Sequence, residues 1–117
     1  MAPLVFETAL SGSDAVVVLS GELDLAGSAA LEAEIERVAA LDGATRVVID
    51  LSRLEFLDSS GLRAVALAER RLRAADRTLA LIRGPDVVQR VFDITRMSDR
   101  LEFADSLDEL DVDVGKR

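Results

Sequence analysis

Three short apolar runs, separated by segments with helical periodicity, constrain the fold of this chain more than any other feature. The runs are AVVVLS at 15–20, RVVIDL at 46–51 and TLALI at 78–82. Runs of this length that do not alternate apolar with polar residues are typical of strands covered on both faces of a parallel sheet. The pattern therefore predicts an α/β fold, with a mixed, mostly parallel β-sheet packed with α-helices.

The segments between the runs supply the helices and turns. Leu31, Ile35 and Val38 recur at helical spacing, which predicts the first helix. Glycine, proline and polar clusters mark most of the other boundaries. These are an edge strand at 3–9, a turn at 11–14, a strand end at Gly21, a helix end at 42–43, a connector at 52–57, helix starts after 61 and at 84–85, a short strand at 101–103 and a helical turn at 107–110.

The length of 117 residues predicts one domain over 1–117, with its core at about 4–110 and a frayed acidic tail at 111–117. Half of the residues are apolar, which is enough for one core without disulfides or metals. The first ten residues carry Glu7 and no basic segment, so they do not resemble a signal peptide. No apolar run approaches the ~20 residues of a membrane helix. We therefore expect a cytoplasmic protein with no membrane partner.

The composition removes several kinds of chemistry. The chain has no His and no Cys, which excludes an imidazole base, a His-ligated metal, a thiolate nucleophile and a disulfide. Its net charge of -8 argues against binding nucleic acid or an anionic membrane. Dinucleotide, phosphate-loop and nucleophile-elbow motifs are absent from the sequence. We therefore expect no catalytic residue, no metal site and no cofactor.

The charge is unevenly distributed along the chain. Residues 1–58 hold 3 Arg and 11 acidic residues, a net charge of -8, whereas residues 59–117 hold 11 basic and 11 acidic residues, a net charge of 0. The basic residues concentrate on the helix after Gly61 and in the segment through Arg100. This pattern is typical of a solvated helix face, or of a docking surface for a charged partner.

The sequence Asp58-Ser59-Ser60-Gly61 is the strongest local motif. It lies before a predicted helix, where Asp and Ser cap free backbone N–H groups. The same position suits a phosphoacceptor, because a helix N-terminus offers N–H donors and a partial positive charge to a phosphoryl group. A cap alone and a phosphorylated serine are both compatible with these residues.

Two segments resemble the STAS domains of anti-sigma-factor antagonists. The first is LSGELD at 19–24, and the second is VVIDLS at 47–52 followed by FLDSSGL at 56–62. The resemblance covers about residues 4–110, and the helix between the two segments also fits the family. The chain departs from it at Arg63, which is often Gly, and at 94–97, where a Gly-containing turn is common.

The resemblance implies a non-enzymatic antagonist that binds an anti-sigma factor with Ser kinase activity and releases the sigma factor. In that family the kinase phosphorylates the Ser after the Asp, here Ser59, the complex then dissociates, and a phosphatase resets the switch. The expected binding face contains the loop with Glu22 and Asp24, together with the segment around the phosphoacceptor. The implied partner-binding residues are Glu22, Asp24, Asp58, Ser60, Gly61, Leu62 and Arg63.

Two other readings remain. The chain could be a STAS adaptor subunit of a transporter or a stress-signalling assembly, with Ser59 serving only as part of a helix cap. It could also be a receiver-like phosphoacceptor at Asp50, although such domains need a pair of acidic residues after their first strand to hold Mg²⁺. Here the first predicted strand leads into Thr8-Ala9-Leu10, which disfavours that hypothesis.

Overall fold

A five-stranded sheet and three α-helices form within residues 2–110, which are the residues that the computed structural model describes. Two short 3₁₀ turns follow the third helix, at Met97–Asp99 and Leu107–Leu110. The elements are β1 (Val5–Ser11), β2 (Asp14–Leu23), α1 (Leu25–Ala39), β3 (Arg46–Leu57), α2 (Ser59–Ala74), β4 (Thr78–Ile82), α3 (Asp86–Ile94) and β5 (Glu102–Ala104).

The sheet has the strand order β1-β2-β3-β4-β5. β1 runs antiparallel to β2, while β2, β3, β4 and β5 pair in parallel. A two-residue turn at Gly12 and Ser13 joins β1 to β2, and Gly12 takes the positive φ of 60° that such a turn requires. The predicted mixed, mostly parallel sheet is confirmed.

Apolar side chains cover both faces of the central strands. On one face Val17, Ile49 and Leu81 pack with residues of all three helices. On the other face Val16 and Val48 belong to a smaller apolar cluster, which the second 3₁₀ turn helps to cover. Burial on both faces explains why the runs at 15–20, 46–51 and 78–82 are apolar without alternation.

The expectation that Gly21 ends the second strand is wrong, because β2 continues to Leu23. Gly21 takes a φ of +85°, and a Cβ at this position would lie 2.2 Å from the carbonyl oxygen of Pro3. The backbone N–H of Glu22 also donates to the carbonyl of Ala2, at 3.0 Å. The glycine therefore permits the N-terminal segment to cross close to the strand.

The expected connector at 52–57 is also wrong, because these residues are the second half of β3. Leu54 and Leu57 are buried, but Ser52, Arg53, Glu55 and Phe56 are exposed. Burial at every third residue matches neither the alternation of a strand nor the spacing of a helix. The parallel ladder with β2 is irregular over the same stretch, with shifts beside Ser20 and Gly21.

The other boundaries lie close to their predicted places. β4 covers 78–82 and a 3₁₀ turn occupies 107–110, as predicted, whereas α2 begins at Ser59, three residues earlier than expected. β1 and β5 are displaced by one or two residues from the predicted ranges, and α3 begins at Asp86, after Pro85 as its N-cap. The predicted tail at 111–117 lies outside the described residues.

The turn after α3 lacks the glycine that is common at this place in STAS domains. Arg96 instead takes a positive φ of 64°, in the left-handed region that favours glycine. A side chain in this conformation costs about 1–2 kcal/mol. The departure noted at 94–97 is therefore accommodated by backbone strain at one residue, and the fold is unchanged.

Candidate functional site

The serine of the DSSG motif lies at the first position of α2. Asp58 is the N-cap of this helix, and its Oδ1 accepts a hydrogen bond from the backbone N–H of Gly61 at 3.0 Å. Ser59 is exposed, and within residues 2–110 its hydroxyl takes part in no hydrogen bond. The cap is therefore made by the aspartate, and the adjacent serine hydroxyl is left accessible to a partner.

The start of α1 repeats this geometry next to it. Asp24 is the N-cap of α1, and its Oδ1 accepts from the backbone N–H of Gly27 at 3.0 Å. β2 and β3 are parallel neighbours in which Leu23 pairs with Leu57. The two capping aspartates each follow one of these paired residues, so both helix starts lie at the same edge of the sheet. We call this edge, formed by 22–25 and 56–63, the switch edge.

A close backbone contact joins the two halves of the switch edge. The backbone N–H of Asp58 lies 3.4 Å from the carbonyl oxygen of Leu23, within hydrogen-bond reach. Gly61 is buried, and a Cβ there would lie only 2.4 Å from the same oxygen. The absence of a side chain at Gly61 thus allows α2 to approach the end of β2. The segments LSGELD and DSSG meet here, as the resemblance to STAS domains implies.

The predicted partner-binding residues differ in what they present to solvent. Arg63 is exposed, whereas Glu22, Asp24, Asp58, Ser60 and Leu62 are half-buried. Glu22 lies in β2, opposite Phe56 in the register, so the expectation of a loop at this residue is wrong. Leu62 packs against the core. The edge therefore presents carboxylates, one guanidinium group and an exposed serine hydroxyl.

Two exposed apolar residues of the switch edge were not among the partner-binding residues expected from the sequence. Leu25 is 74% exposed at the start of α1, and Phe56 is 42% exposed near the end of β3. Leu25 directly follows a capping aspartate, which is a signal that sequence reasoning could have used. The exposure of Phe56 depends on the irregular end of β3, for which the sequence carries no periodic signal.

Asp50, the residue considered as a receiver-like acceptor, lies elsewhere. It is within β3, where its register partners are Val18 and Ile82, residues of the smaller apolar cluster on the opposite face. Its Oδ1 accepts a hydrogen bond from the backbone N–H of Ser52 at 2.9 Å. In the described part of the chain, no group of three or more acidic side chains is arranged to hold a metal ion.

Within residues 2–110, no helix is both long enough and apolar enough to cross a bilayer.

A family match and one curated relative place the chain among known proteins. The family described as "Mlab, STAS domain" matches residues 6–107. BtrV of Bordetella bronchiseptica, which carries the name of an anti-sigma factor antagonist, is 38% identical over 81 residues. That alignment covers 68% of this chain and 68% of BtrV.

Two solved structures share the fold. The anti-sigma factor antagonist from Mycobacterium paratuberculosis has a TM-score of 0.81 and 28% identity, covering 91% of this chain and 89% of that one. SpoIIAA in its unphosphorylated form has a TM-score of 0.77 and 25% identity, covering 92% of this chain and 94% of that one. The predicted STAS fold is confirmed. The chain belongs to the anti-sigma-factor antagonist family of STAS domain proteins, which are non-enzymatic regulators.

Proposed function

We propose that this protein binds an anti-sigma factor with Ser kinase activity through the switch edge, and that phosphorylation of Ser59 by that kinase ends the complex. A phosphatase then restores the binding form. The observation that carries the proposal is the exposed, unbonded hydroxyl of Ser59 beside the Asp58 cap. SpoIIAA, which shares the fold, has been solved in unphosphorylated and phosphorylated forms.

The cap geometry supports phosphorylation without unfolding. Asp58 holds the first turn of α2 through the N–H of Gly61, so the serine hydroxyl is not needed for the cap. A phosphoryl group on Ser59 would lie at the N-terminus of a 16-residue helix, where unpaired N–H groups and the helix dipole favour negative charge. The fold is therefore expected to tolerate the modification.

The charge of the edge supports loss of binding on phosphorylation. Glu22, Asp24 and Asp58 already place three carboxylates there, against the single guanidinium group of Arg63. A phosphoryl group adds roughly -1.5 to -2 charges at neutral pH. A partner surface that complements the unmodified edge would meet this added charge and bulk within the contact, which raises the dissociation rate.

Leu25 and Phe56 give the edge the apolar area that a partner interface requires. Interface cores are depleted in charge and enriched in aromatic and other apolar anchors, which are surrounded by a polar rim. Leu25 follows Glu22 and Asp24 at the start of α1. Phe56 lies just before the start of α2, where it is followed by Asp58 and Arg63. We therefore propose that Leu25 and Phe56 are anchors, and that Glu22, Asp24, Asp58, Ser60 and Arg63 belong to the polar rim.

The test compares Ser59→Ala with Ser59→Asp for binding to the anti-sigma factor of the same genome, with ATP present. Ser59→Ala is expected to bind persistently, because it cannot be phosphorylated. Ser59→Asp is expected to bind weakly or not at all. Ser13→Asp is the matched control, since it adds the same charge in the exposed turn at the opposite end of β2. Equal binding by all three variants and the parent, before and after ATP, would refute the switch.

A second function is favoured by the same cap. Because the Asp58 hydrogen bond accounts for the motif by itself, the chain could act as a STAS adaptor in a larger assembly, with Ser59 unmodified. Purification from the host distinguishes the two functions. An adaptor is expected to copurify with transporter or scaffold subunits in a fixed ratio, without phosphate on Ser59. The switch is expected to yield the kinase and a phosphorylated fraction of the chain.

A further inference from the structure

A cleft between the second half of α2 and the turn after α3 gathers three arginines. Its volume is about 490 Å³, and its charged lining consists of Glu69, Arg70, Arg73 and Arg100. Clefts of about 300–1,000 Å³ are the size that holds small molecules. We call this the arginine cleft.

Two of the three guanidinium groups are uncommitted. Arg73 lies 3.4 Å from Glu69 on the same face of α2. Within residues 2–110, the side chains of Arg70 and Arg100 form no hydrogen bond or ion pair. The cleft therefore has three positive charges against one carboxylate, and the single carboxylate is already paired. Two planar, exposed guanidinium groups remain to bind an anion.

The local charge is opposite to that of the whole chain. The net charge of -8 repels small anions from most of the surface. Anion binding must therefore arise from a local concentration of cations, and the arginine cleft supplies one. A neighbouring cavity of about 260 Å³ shares Glu69, Arg73 and Arg100 with the cleft, and it adds one cation, Arg77, and one carboxylate, Glu102. One Nη of Arg77 donates to the carbonyl of Ala44, which fixes its position.

Three apolar residues, which we call the apolar floor, line the cleft together with the charged residues: Ala66, Met97 and Leu101. Leu101 is only 9% exposed. An apolar floor lowers the local dielectric and strengthens hydrogen bonds from the guanidinium groups above it. It also offers a surface for the organic part of a ligand. Ser59 is eleven residues before Arg70 on the same helix, about 16 Å along its axis, so the cleft is separate from the switch edge.

We propose that the arginine cleft binds a small phosphate-bearing molecule. Arg70 and Arg100 are its principal ligands, because the fork of N–H donors in a guanidinium group matches phosphate oxygens in bidentate geometry. Arg73 supplies a third cation from within its ion pair. The phosphate lies between α2 and the turn, and the group that carries it lies over Met97 and Leu101.

The test titrates the full, isotope-labelled chain with inorganic phosphate and with phenyl phosphate at physiological salt. The amide resonances of 66–73 and 97–101 are expected to shift, while those of the switch edge remain in place. Arg70→Gln and Arg100→Gln are each expected to weaken binding by about tenfold or more. Tighter binding of phenyl phosphate than of inorganic phosphate would assign the apolar floor to the organic group, and equal binding would assign the site to phosphate alone.

Arg90→Gln is the control, since it removes one exposed arginine from α3, outside the cleft. It is expected to leave the affinity unchanged. Because the side chains of Arg70 and Arg100 form no hydrogen bond or ion pair with the described residues, the variants should unfold close to the parent's temperature. The proposal is overturned if the resonance shifts spread over the whole surface, or if Arg90→Gln weakens binding as much as Arg70→Gln. It is also overturned if neither phosphate probe shifts the resonances of the cleft, whether or not an acidic peptide binds there.

Discussion

Asp24 and Asp58 are matched N-caps on neighbouring helices. Each aspartate accepts a 3.0 Å hydrogen bond at Oδ1 from the backbone N–H of the glycine three residues later, Gly27 or Gly61. The residues before them, Leu23 and Leu57, pair across two parallel strands. Both halves of the switch edge thus use the same Asp–Gly capping hydrogen bond. They differ in that only the second cap is followed directly by a serine.

The cap and the charge of Asp58 can be separated by substitution. Asp58→Ala is expected to destabilise the protein by about 1 kcal/mol, because the N–H of Gly61 loses its acceptor. Asp58→Asn keeps an acceptor oxygen and should cost only a few tenths of that, while it removes the negative charge. Urea denaturation gives the stability, and titration with the anti-sigma factor gives the affinity.

Asp24→Asn is the matched control, since it removes the same charge from the other cap. If binding depends on the charge beside the phosphoacceptor, Asp58→Asn weakens it more than Asp24→Asn at equal stability. Equal effects of the two substitutions would instead assign Asp58 a structural role.

Gly61→Ala is expected to destabilise the protein, despite the higher helix propensity of alanine. The added Cβ would lie 2.4 Å from the carbonyl oxygen of Leu23, so α2 must move away from β2. Overpacking of this kind typically costs about 1–3 kcal/mol. Ser60→Ala in the same turn is the control and should change stability by less than about 0.5 kcal/mol. A Gly61→Ala variant as stable as the parent would show that the fold does not need the close approach of α2 to the end of β2.

Arg96→Gly is expected to stabilise the protein. Arg96 has a φ of 64°, and its Nε pairs with Asp99 at 3.2 Å where both side chains are exposed. An exposed pair contributes little, whereas the left-handed conformation costs about 1–2 kcal/mol. After the larger backbone entropy of unfolded glycine is subtracted, the gain should be about 0.5–1 kcal/mol. Thermal denaturation of Arg96→Gly and of Asp99→Ala separates the effect of the backbone conformation from the loss of the ion pair. A lower melting temperature for Arg96→Gly than for the parent would contradict the prediction.

The elements were predictable where one physical signal dominated. TLALI at 78–82 is apolar after Thr78, and residues 79–82 are buried on both faces, so its limits match β4. Asp58 before an amphipathic segment predicted a cap for α2, although the helix begins at Ser59 and not after Gly61 as expected. The end of β3 was not predictable, because its buried residues Leu54 and Leu57 are three apart and follow no strand period. The strand end expected at Gly21 was wrong for a related reason. This glycine permits a close tertiary contact with Pro3, which leaves no local pattern in the sequence.

The candidate site was likewise predictable only in part from the sequence. Motif resemblance located Ser59 and the charged residues of the switch edge, because their identity carries the chemistry. Leu25 and Phe56 were not located, because their proposed role as anchors depends on their exposure, which is a property of the folded chain. Arg70 and Arg100 were recognisable only as members of a basic segment, until the turn after α3 brought them to one cleft.

Leu25→Ser and Phe56→Ser are expected to weaken binding of the anti-sigma factor by roughly 30-fold each, as for hot-spot residues of interfaces. Their effect on stability should be smaller, because the side chains are 74% and 42% exposed. Val87→Ser is the control, since Val87 is a 57% exposed apolar residue on α3, away from the edge. Binding is measured by calorimetry with the unphosphorylated chain. Equal losses at Val87 and Leu25 would remove the edge from the interface.

Glu34 links stability to pH through the contact between α1 and β1. The hydrogen bond from Arg37, with a further one from Thr8, holds the pKa of the Glu34 carboxyl below its ordinary value, against the opposing effect of burial. A carboxyl with a lower pKa in the folded than in the unfolded chain stabilises the fold above the unfolded value of about 4.5. This contribution is lost as the pH falls through the lower, folded value. Glu34→Gln should therefore be less stable than the parent at neutral pH.

The measurement is urea denaturation of both proteins from neutral pH to below pH 4.5. The difference in unfolding free energy between the parent and Glu34→Gln is expected to be constant above the unfolded pKa and to shrink as the pH falls below it. Glu36→Gln is the control, because Glu36 is an exposed neighbour on α1 whose bond to Arg71 lies at the surface. A difference that stays constant down to the acid limit would show that Glu34 acts through its size and hydrogen bonds and not through its charge.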